Sequence, residues 1–406
     1  MTQETNPTAF LREYFQGRNA KAVELLRWLV EQESMSRVPE ATSRIAEMVG
    51  AKLAGLGATV ELQRDPKFGA TLLAHFGQIP GPGLKPDTPL SSAKTHPAPD
   101  EPANKQLLIV GHLDTVWPIG TLAERPFRIE GGLAYGPGAF DMKAGLTIAI
   151  LAIAALRDLG RSTRRPITFL FTCDEETGSS FSRDTIETQG RCSEAALVLE
   201  PPIPGGKVKT RRKGVGEFQI VIRGRPAHAG NDPRAGVSAI TELAHQILAI
   251  NKMSDFEQGT TLNVGVVSGG VLANVIAGQA RAVVDLRYRT VEEGARIVEA
   301  IYGLKPVLDD ACLEVTGGMG RSPLLRTDGV ARLFEQARTI ASSAGVDLQE
   351  GSVGGGSDGN FLAALGIPVL DGLGVDGAGA HAEHEHVIIG DIPLRAALLA
   401  RLMETI

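Results

Sequence analysis

The sequence predicts an α/β protein in which a mainly parallel sheet domain carries an inserted, smaller α+β domain of ferredoxin-like order. On both sides of residues 214–323, short apolar strands alternate with helical patterns, which is typical of a parallel sheet covered on both faces. Within 214–323 the order changes to βαββαβ, over a length that suits a separate domain. The chain has 406 residues, enough for two or three domains of roughly 100 to 200 residues. We therefore expect one domain from 1–213 and 324–406 and a second from 214–323.

Helices open the first domain. Amphipathic patterns over 8–33 and 39–56 predict two helices, and alternation over 59–63 predicts a strand. Residues 80–102 hold seven of the 23 prolines and show no periodicity, so we expect a flexible surface segment there. Further strands of this domain are expected at 107–110, 167–173, 195–199 and 367–370, and further helices at 144–159 and 329–343.

A short basic segment, 207–213, precedes the inserted domain. It lacks interleaved aromatic residues, so we interpret it as a solvated linker rather than a nucleic-acid surface. The elements expected beyond it are strands at 218–222, 261–267, 280–287 and 312–316 and helices at 236–250 and 292–302.

Composition and charge disfavour several classes of protein. With 41 basic and 47 acidic residues the net charge is −6, which offers no broad basic surface for nucleic acid. The most apolar stretch, 144–156, is shorter than the ~18 residues that suggest a membrane span, and it predicts a buried helix. The N-terminus shows no secretory signal, and Cys173, Cys192 and Cys312 form no CxxC pair. We expect a cytoplasmic protein with neither a nucleic-acid nor a membrane partner.

Polar residues follow the predicted parallel strands, at the sheet edge where sites form in open α/β sheets. His112 and Asp114 are two residues apart and point the same way in an extended chain. The carboxylate can then fix the tautomer of a metal-binding imidazole. Taken alone, the pair is equally consistent with a structural hydrogen bond, which is the default interpretation.

Carboxylates follow two other strands: Glu175 and Glu176 after one, Glu200 after the next. Acidic groups at the ends of apolar strands are costly unless they pair or bind cations. Asp141 lies in a glycine-rich turn just before a helix, where a helix N-cap is an alternative role. That turn lacks the GxxxxGK[ST] pattern of a phosphate-binding loop.

Three histidines, His381, His384 and His386, fall within six residues near the end of the chain. A solvated histidine-rich turn would explain them on their own. Imidazoles and carboxylates together form a mixed N/O set that suits zinc or a similar first-row metal. Because Glu175 and Glu176 are adjacent, one can bind metal while the other acts as a base.

The segments that carry these residues resemble, in order, those of the dizinc aminoacylase and carboxypeptidase G metallopeptidase family, and most closely its glutamate carboxypeptidase branch. The matching segments are 112–116 (His-Leu-Asp-Thr-Val), 135–143 (Tyr-Gly-Pro-Gly-Ala-Phe-Asp-Met-Lys), 174–178 (Asp-Glu-Glu-Thr-Gly), 200–201 (Glu-Pro), 227–230 (Ala-His-Ala-Gly) and 379–381 (Gly-Ala-His). The resemblance implies a zinc exopeptidase-like catalytic domain and a dimerisation or lid role for the inserted domain.

The resemblance further implies two zinc ions, or other divalent first-row metals, per subunit. The ligands it implies are His112 and Glu200 for one ion, Glu176 and His381 for the other, and Asp141 for both. Asp114 would orient His112, and Glu175 would be the general base that takes a proton from a metal-bridging water. His381 is preferred to His384 and His386 because Glu385 follows it by four residues, as in the family pattern.

In the inserted domain, His228 matches a histidine that family members bring to the partner subunit's active site to stabilise an oxyanion, which implies a homodimer. Arg287 matches an arginine that binds a substrate carboxylate, and Asn274, Gly356 and Ser357 match substrate contacts. Without the resemblance, His228 would be a loop histidine capping backbone, Arg287 a surface ion pair, and the 354–358 turn a helix entry.

The resemblance leads us to expect a hydrolase that cleaves the amide bond to a C-terminal amino acid, glutamate in particular, of a small N-acyl or peptidyl substrate. Two departures bear on the substrate: segment 80–102 has no evident equivalent, and Met142 stands where the branch often has a second aspartate. One alternative is an N-acyl-amino-acid deacylase with another side-chain preference. A second is a non-catalytic metal-dependent binding protein, against which Glu175 argues because a binding site needs no base.

Overall fold

A computed structural model describes residues 6–77 and 105–406. They divide into a first unit, of 6–77, 105–210, 325–352 and 357–406, and a second unit, of 211–324 and 353–356. The segment 214–323, predicted as the inserted domain, falls within the second unit. The proline-rich segment 80–102 lies outside the described residues.

From the start of the chain to residue 212 the elements are α1 (Pro7–Gln16), α2 (Asn19–Val30), α3 (Pro39–Gly55), β1 (Thr59–Asp65), β2 (Gly69–His75), β3 (Gln106–His112), α4 (Thr121–Glu124), β4 (Arg128–Glu130), β5 (Leu133–Tyr135), α5 (Ala144–Asp158), β6 (Ile167–Thr172), α6 (Arg183–Arg191), β7 (Ser193–Val198) and β8 (Val208–Arg212). The next are β9 (Gly214–Arg223), α7 (Ala239–Asn251), β10 (Thr261–Gly269), β11 (Gln279–Tyr288), α8 (Val291–Tyr302) and β12 (Cys312–Arg321). The last are α9 (Asp328–Ser343), β13 (Glu350–Val353), α10 (Gly359–Ala364), β14 (Val369–Leu370), β15 (Gly377–Ala378), β16 (His386–Ile388) and α11 (Ile392–Thr405).

The main sheet of the first unit has the strand order β1-β2-β6-β3-β7-β14. Strands β6, β3, β7 and β14 run parallel to one another, and β2 is antiparallel to both β1 and β6. Every residue of β3 and β6 is buried, as continuous apolar strands covered on both faces require. The prediction of an α/β fold with a mainly parallel sheet is confirmed.

The apolar helix α5 lies in the core of the first unit. The stretch Ala139–Asp158 is long and apolar enough to cross a membrane by length and composition, but 78% of its most apolar window is buried inside the structure. Leu146, Ile153 and Leu156 belong to the same buried cluster as the sheet residues Ile109 and Phe169. The burial matches the core helix predicted for 144–156.

The N-terminal helical pattern forms two helices rather than one. Arg18, with φ −118° and ψ 14°, lies outside the helical region and separates α1 from α2. The N–H groups of Gly17 and Arg18 close α1 by bonding the carbonyls of Glu13 and Phe15. The prediction of one helix over 8–33 is therefore wrong, because amphipathic spacing continues across the break while the backbone does not.

The second unit has the predicted βαββαβ order. Its antiparallel sheet has the strand order β10-β11-β9-β12, and α7 and α8 contribute buried Leu243 and Ile297 to a core with Phe218 and Ile220 of β9. Both helices begin at a side-chain cap, Ser238 for α7 and Thr290 for α8, which accepts a main-chain N–H.

The basic segment 207–213 is not a solvated linker, and that prediction is wrong. Most of it forms β8, which pairs with β13, and Lys209 and Arg212 are buried. The main-chain N–H of Lys209 bonds the carbonyl of Asp371, and the guanidinium of Arg212 donates to the carbonyls of Gly355 and Gly356. Long basic side chains can be buried where such acceptors are present, and the sequence does not reveal those acceptors.

Candidate metal centre

The candidate residues of the first unit meet at one edge of the main sheet. His112 is the last residue of β3, Glu175 and Glu176 form a short 3-10 turn after β6, and Glu200 follows β7 by two residues. These three strands are parallel neighbours, so their carboxyl ends lie side by side. The topology thus brings together residues that are far apart in the sequence, as His112 and Glu200 are.

Two groups of potential metal ligands share Asp141. The first is His112, Asp141 and Glu200, the second is Asp141, Glu176 and His381, and in each the ligand atoms all lie within 4.8 Å of one another. His112 Nε2 is 3.2 Å from Asp141 Oδ1, and His381 Nε2 is 3.5 Å from Asp141 Oδ2. Asp141 therefore presents a different oxygen to each histidine, as a bridging carboxylate does.

The two glutamates of the groups also lie close to the histidines. His112 Nε2 is 3.7 Å from Glu200 Oε1, and His381 Nε2 is 3.1 Å from Glu176 Oε2. Two imidazoles and three carboxylates therefore converge within hydrogen-bonding or near-contact distances. A mixed N/O donor set of this kind suits zinc and other divalent first-row metals.

The electrostatics of the cluster require positive charge. Burial lowers the pKa of His112, but hydrogen bonds with Asp114 and Asp141 outweigh it and raise that pKa well above its usual value. Hydrogen bonds with Asp141 and Glu176 raise the pKa of His381 to about 10. Burial acts to raise the pKa of Asp141, yet hydrogen bonds from both histidines hold it far below its usual value. Protons on the imidazoles or divalent cations can supply the charge that these carboxylates need.

Asp114 contacts two different parts of the site. Its main-chain carbonyl lies 2.9 Å from His112 Nδ1, whereas the nearer carboxylate oxygen is 3.5 Å from that nitrogen. The carboxylate accepts the main-chain N–H groups of Glu175 and Glu176, each at 3.2 Å, and the hydroxyl of Ser36 at 2.7 Å. The side chain that was expected to orient an imidazole thus also holds the turn that carries Glu175.

Asp141 does not cap the helix that follows it. The N-cap position of α5 is Lys143, with no side-chain cap, and the Asp141 carboxylate faces the histidines instead. The peptide bond between Asp141 and Met142 is cis. The N-cap alternative is therefore wrong.

The three histidines near the end of the chain have different surroundings. His381 faces Asp141 and Glu176, while the ring of His386 packs on Tyr135 with centroids 5.0 Å apart, and its Nδ1 lies 2.7 Å from the carbonyl of His384. Among the described residues, His384 and His386 belong to neither potential ligand group. His381, the histidine that the family pattern selects, is thus the one that lies beside Asp141 and Glu176.

Glu385 makes contacts in the site that the sequence did not predict. Its buried carboxylate accepts three main-chain N–H groups of the turn at 138–141 that carries Asp141. The available signal was its spacing of four residues after His381, which marked the motif but not this contact.

In the second unit, the structure brings His228 and Asn274 together on neighbouring loops. The N–H of Ala229 donates to the main-chain carbonyl of Asn274 at 2.9 Å. His228 Nδ1 accepts N–H groups from Gly230 and Asn231, each at 3.1 Å, as expected of a loop histidine. Because Nδ1 accepts, a neutral ring carries its proton on Nε2, which gives it a donor of the kind that an oxyanion needs.

Arg287 forms a surface ion pair with Asp285, which is the alternative role that the sequence left open for it. Its Nε and Nη2 donate to the two carboxylate oxygens of Asp285, both at 2.9 Å. The two side chains are 32% and 41% exposed, so a substrate carboxylate would compete with Asp285 at a solvated position. Other cations are near: burial and the charges of Arg289 and Arg287 lower the pKa of Lys213.

The turn that contains Gly356 and Ser357 is held from inside the protein. The Ser357 hydroxyl is fully buried and donates to Asp371 at 2.7 Å. The carbonyl of Gly356 accepts from Arg212 at 3.1 Å. A substrate contact by Ser357 would therefore involve its main chain rather than its hydroxyl.

Histidines and carboxylates clustered at the strand ends of an open α/β sheet are a donor set for divalent metals, which is the class of site expected of a metal-dependent enzyme. The chain belongs to peptidase family M20/M25/M40, whose model matches residues 108–405. The family resemblance is thereby confirmed, and the protein is a metallo-hydrolase that acts on peptide or amide bonds.

Two curated relatives and two solved structures illustrate the likeness. The chain is 33% identical to carboxypeptidase G2 of Pseudomonas sp. (strain RS-16) over 304 residues, 74% of this chain and 73% of the relative. It is 30% identical to the succinyl-diaminopimelate desuccinylase of Gluconacetobacter diazotrophicus over 323 residues, 73% of this chain and 81% of the relative.

A tripeptidase from Staphylococcus aureus matches with a TM-score of 0.74 at 20% identity, covering 95% of this chain and 98% of the other. An M20 family metallo-carboxypeptidase from Sulfolobus solfataricus matches with a TM-score of 0.71 at 17% identity, covering 94% and 98%. At these identities the two structures show the shared fold alone.

Proposed function

We propose that this protein is a dizinc-dependent carboxypeptidase that cleaves the amide bond to a C-terminal amino acid, glutamate in particular, of a small N-acyl or peptidyl substrate. One observation carries the proposal: Asp141 presents one oxygen to His112 and the other to His381. Two groups of ligand atoms that share one carboxylate are the arrangement that a two-metal hydrolase requires.

The donor set fits zinc. His112 and Glu200 would hold one ion, Glu176 and His381 the other, and Asp141 both. When bound, two such ions acidify water and polarise a carbonyl oxygen.

Glu175 is the residue that would move the proton. It is 8% exposed, and its main-chain N–H is held by Asp114, so its position beside Glu176 is fixed. As general base it would take a proton from the attacking water and then deliver it to the nitrogen of the departing amino acid. Such a transfer needs a carboxylate close to the ligands yet not among them.

The second unit supports a homodimer in which His228 acts in the partner's site. Strand β10 lies at the edge of its sheet, and Val266 and Val267 on it are more than half exposed. Beyond the strand, Val271 and Leu272 are exposed as well. An exposed, apolar sheet edge favours pairing with a second copy of the chain. A fully active monomer in analytical ultracentrifugation would contradict this part of the proposal.

The substrate preference rests on charge and on likeness. Arg287 with Lys213 nearby suits a substrate that carries more than one carboxylate, as a C-terminal glutamate does. Similarity to carboxypeptidase G2 supports carboxypeptidase activity. The desuccinylase relatives favour a second candidate, an N-acyl-amino-acid deacylase with another side-chain preference.

A hydrolysis panel tests both candidates. N-acylglutamates, other N-acyl amino acids and N-succinyl amino acids are supplied to one protein preparation whose zinc content is measured. We expect two zinc ions per chain and the highest kcat/KM for the N-acylglutamates. Equal rates on all N-acyl amino acids would favour the deacylase. Full zinc content without hydrolysis of any of these substrates would contradict the proposed substrate class.

A cytoplasmic location is proposed from the cysteines. Cys173, Cys192 and Cys312 are all free thiols in the structure, which suits a reducing compartment. Cell fractionation with an antibody against the chain would test this.

A further inference from the structure

Glu385 is the buried acceptor for four N–H donors of the first unit. Its Oε1 accepts the main-chain N–H groups of Phe140 and Asp141 at 2.9 and 3.0 Å. Its Oε2 accepts the main-chain N–H of Gly138 at 2.9 Å and the indole N–H of Trp117 at 2.6 Å. The residue is 3% exposed. Such a carboxylate is fully used as an acceptor by protein groups.

The four donors explain why a carboxylate is needed at this position. An ionised carboxylate only accepts hydrogen bonds, at two oxygens with about four lone-pair positions. A glutamine of the same shape would turn an NH2 group toward one pair of N–H donors, leaving buried donors facing each other. Burial raises the pKa of Glu385, and the hydrogen bonds from the N–H donors act against that rise.

Glu385 also lies against the segment that carries His381. The N–H of Ala382 bonds the carbonyl of Gly379, and the N–H of Glu385 bonds the carbonyl of Ala382, so the chain folds back after His381. A Cβ at Gly379, which has φ +84°, would lie 2.9 Å from the Cα of Glu385. One residue therefore touches both turns, the one that carries Asp141 and the one that carries His381.

We propose that Glu385 is a positioning residue that holds Asp141 at the correct distance from His381 for metal binding. It acts through the main chain of residues 138–141 and touches neither substrate nor metal. The inference rests on the proposed two-metal function, since it concerns how the shared ligand is placed. Asp114 has the same arrangement: its buried carboxylate accepts the N–H groups of Glu175 and Glu176.

The test is the zinc affinity of full-length Glu385→Gln, measured by competition with a chromophoric chelator, together with the absorption spectrum of the Co2+-loaded protein. We expect affinity to fall by roughly 10- to 100-fold, the usual cost of losing a group that orients a metal ligand. The Co2+ bands should shift, because Asp141 would meet the ions at an altered angle. A purely structural role would lower Tm and leave affinity and spectrum unchanged.

Glu242→Gln is the matched control. Glu242 is fully buried in the second unit and accepts the N–H groups of Val307 and Leu308, so it does the same structural task away from the ligand turns. We expect Glu242→Gln to lower Tm while zinc affinity stays at the wild-type value. Trp117→Phe, which removes one donor and keeps the carboxylate, should weaken zinc binding less than Glu385→Gln does.

The outcomes separate the two proposals. If the wild-type protein binds no zinc, the proposed function fails. If the wild type binds two zinc ions and Glu385→Gln binds them as tightly as Glu242→Gln does, the role assigned to Glu385 is overturned. Should Glu385→Gln not fold, Glu385→Asp retracts both oxygens by one methylene, and we expect it to lose about tenfold in zinc affinity. Wild-type affinity in that variant would equally overturn the inference.

Discussion

The candidate residues of the two units differ in burial and in hydrogen bonding. In the first unit, the side chain of His112 is 1% exposed and that of Glu176 8%, and buried carboxylates accept the N–H groups of the turns that carry Glu176 and Asp141. In the second unit, His228 and Asn274 are exposed on loops, and Arg287 pairs with a residue of its own strand. The first arrangement is thus buried and held by hydrogen bonds from its own unit, and the second lies at solvent-exposed positions.

The difference suits the chemistry that we propose for each part. Metal ligands have to keep their geometry to within a fraction of an ångström, which buried, fully hydrogen-bonded supports provide. Substrate contacts must form and break in every turnover, which suits loops and solvated ion pairs. His381 is the exception in the first unit, with its side chain 51% exposed. Of the five proposed ligands, it is the one that a turn at the surface supplies.

The largest effect is expected from Glu175→Gln. The variant keeps size and polarity but removes the proton acceptor, so kcat should fall by about 10²- to 10⁴-fold, the usual contribution of a general base. Zinc content should stay that of the wild type, since Glu175 is not in either ligand group. Glu335→Gln, at an exposed ion pair with Arg338, is the control and should keep full activity. Parallel loss of zinc and activity would instead make Glu175 a ligand.

Asp114→Asn tests whether the first unit depends on its buried supports. An amide can accept from only one of the N–H groups of Glu175 and Glu176, so the turn that carries them should shift. We expect kcat to fall by roughly 10- to 100-fold. The matched control is Asp391→Asn, because Asp391 accepts the N–H of Asp376 at 2.8 Å. Equal kinetics in both variants would contradict a special role for Asp114.

Arg287→Lys tests the adaptable contacts of the second unit. A lysine cannot offer the paired donors of a guanidinium, and losing one charged hydrogen bond of roughly 1.5–3 kcal/mol should raise KM by at least about tenfold. The kcat should change little, because binding of this kind is shared by substrate and transition state. Arg281→Lys, on the same strand and bonded to Ser268, should leave KM unchanged. An unchanged KM in Arg287→Lys would remove Arg287 from the substrate site.

The smallest effect is expected from Tyr288→Phe. Tyr288 is fully buried in the second unit, and its hydroxyl donates to the carbonyl of Arg321 at 3.0 Å. Losing that bond should lower the free energy of unfolding by about 1 kcal/mol. Urea denaturation measures the change, with Tyr302→Phe as the control, because Tyr302 is half-exposed and its hydroxyl donates to the carbonyl of Gly317. A fall in zinc affinity would show that the second unit influences the metal centre.

Much of the fold was predictable from local pattern. Continuous apolar runs marked β3 and β6, and the βαββαβ order marked the second unit, because burial on one or both faces imposes a period on the sequence. The break between α1 and α2 was missed because helical spacing continues across it. The buried strand β8 was missed because its partners, strand β13 and the carbonyls of Gly355 and Asp371, come from later parts of the chain.

The sequence by itself determined the family and the residue types of the centre. Motifs at the ends of predicted strands are local, and their order along the chain is sufficient to recognise them. Only the tertiary structure showed that Asp141 turns one oxygen to each histidine and that Glu385 supports its turn. Those facts depend on contacts between distant residues: Glu385 and Gly138 are 247 positions apart and meet only when the sheet has brought both segments to one edge. Hydrogen bonds of this kind leave no periodic trace in a sequence, because each partner alone is an ordinary polar group in a turn.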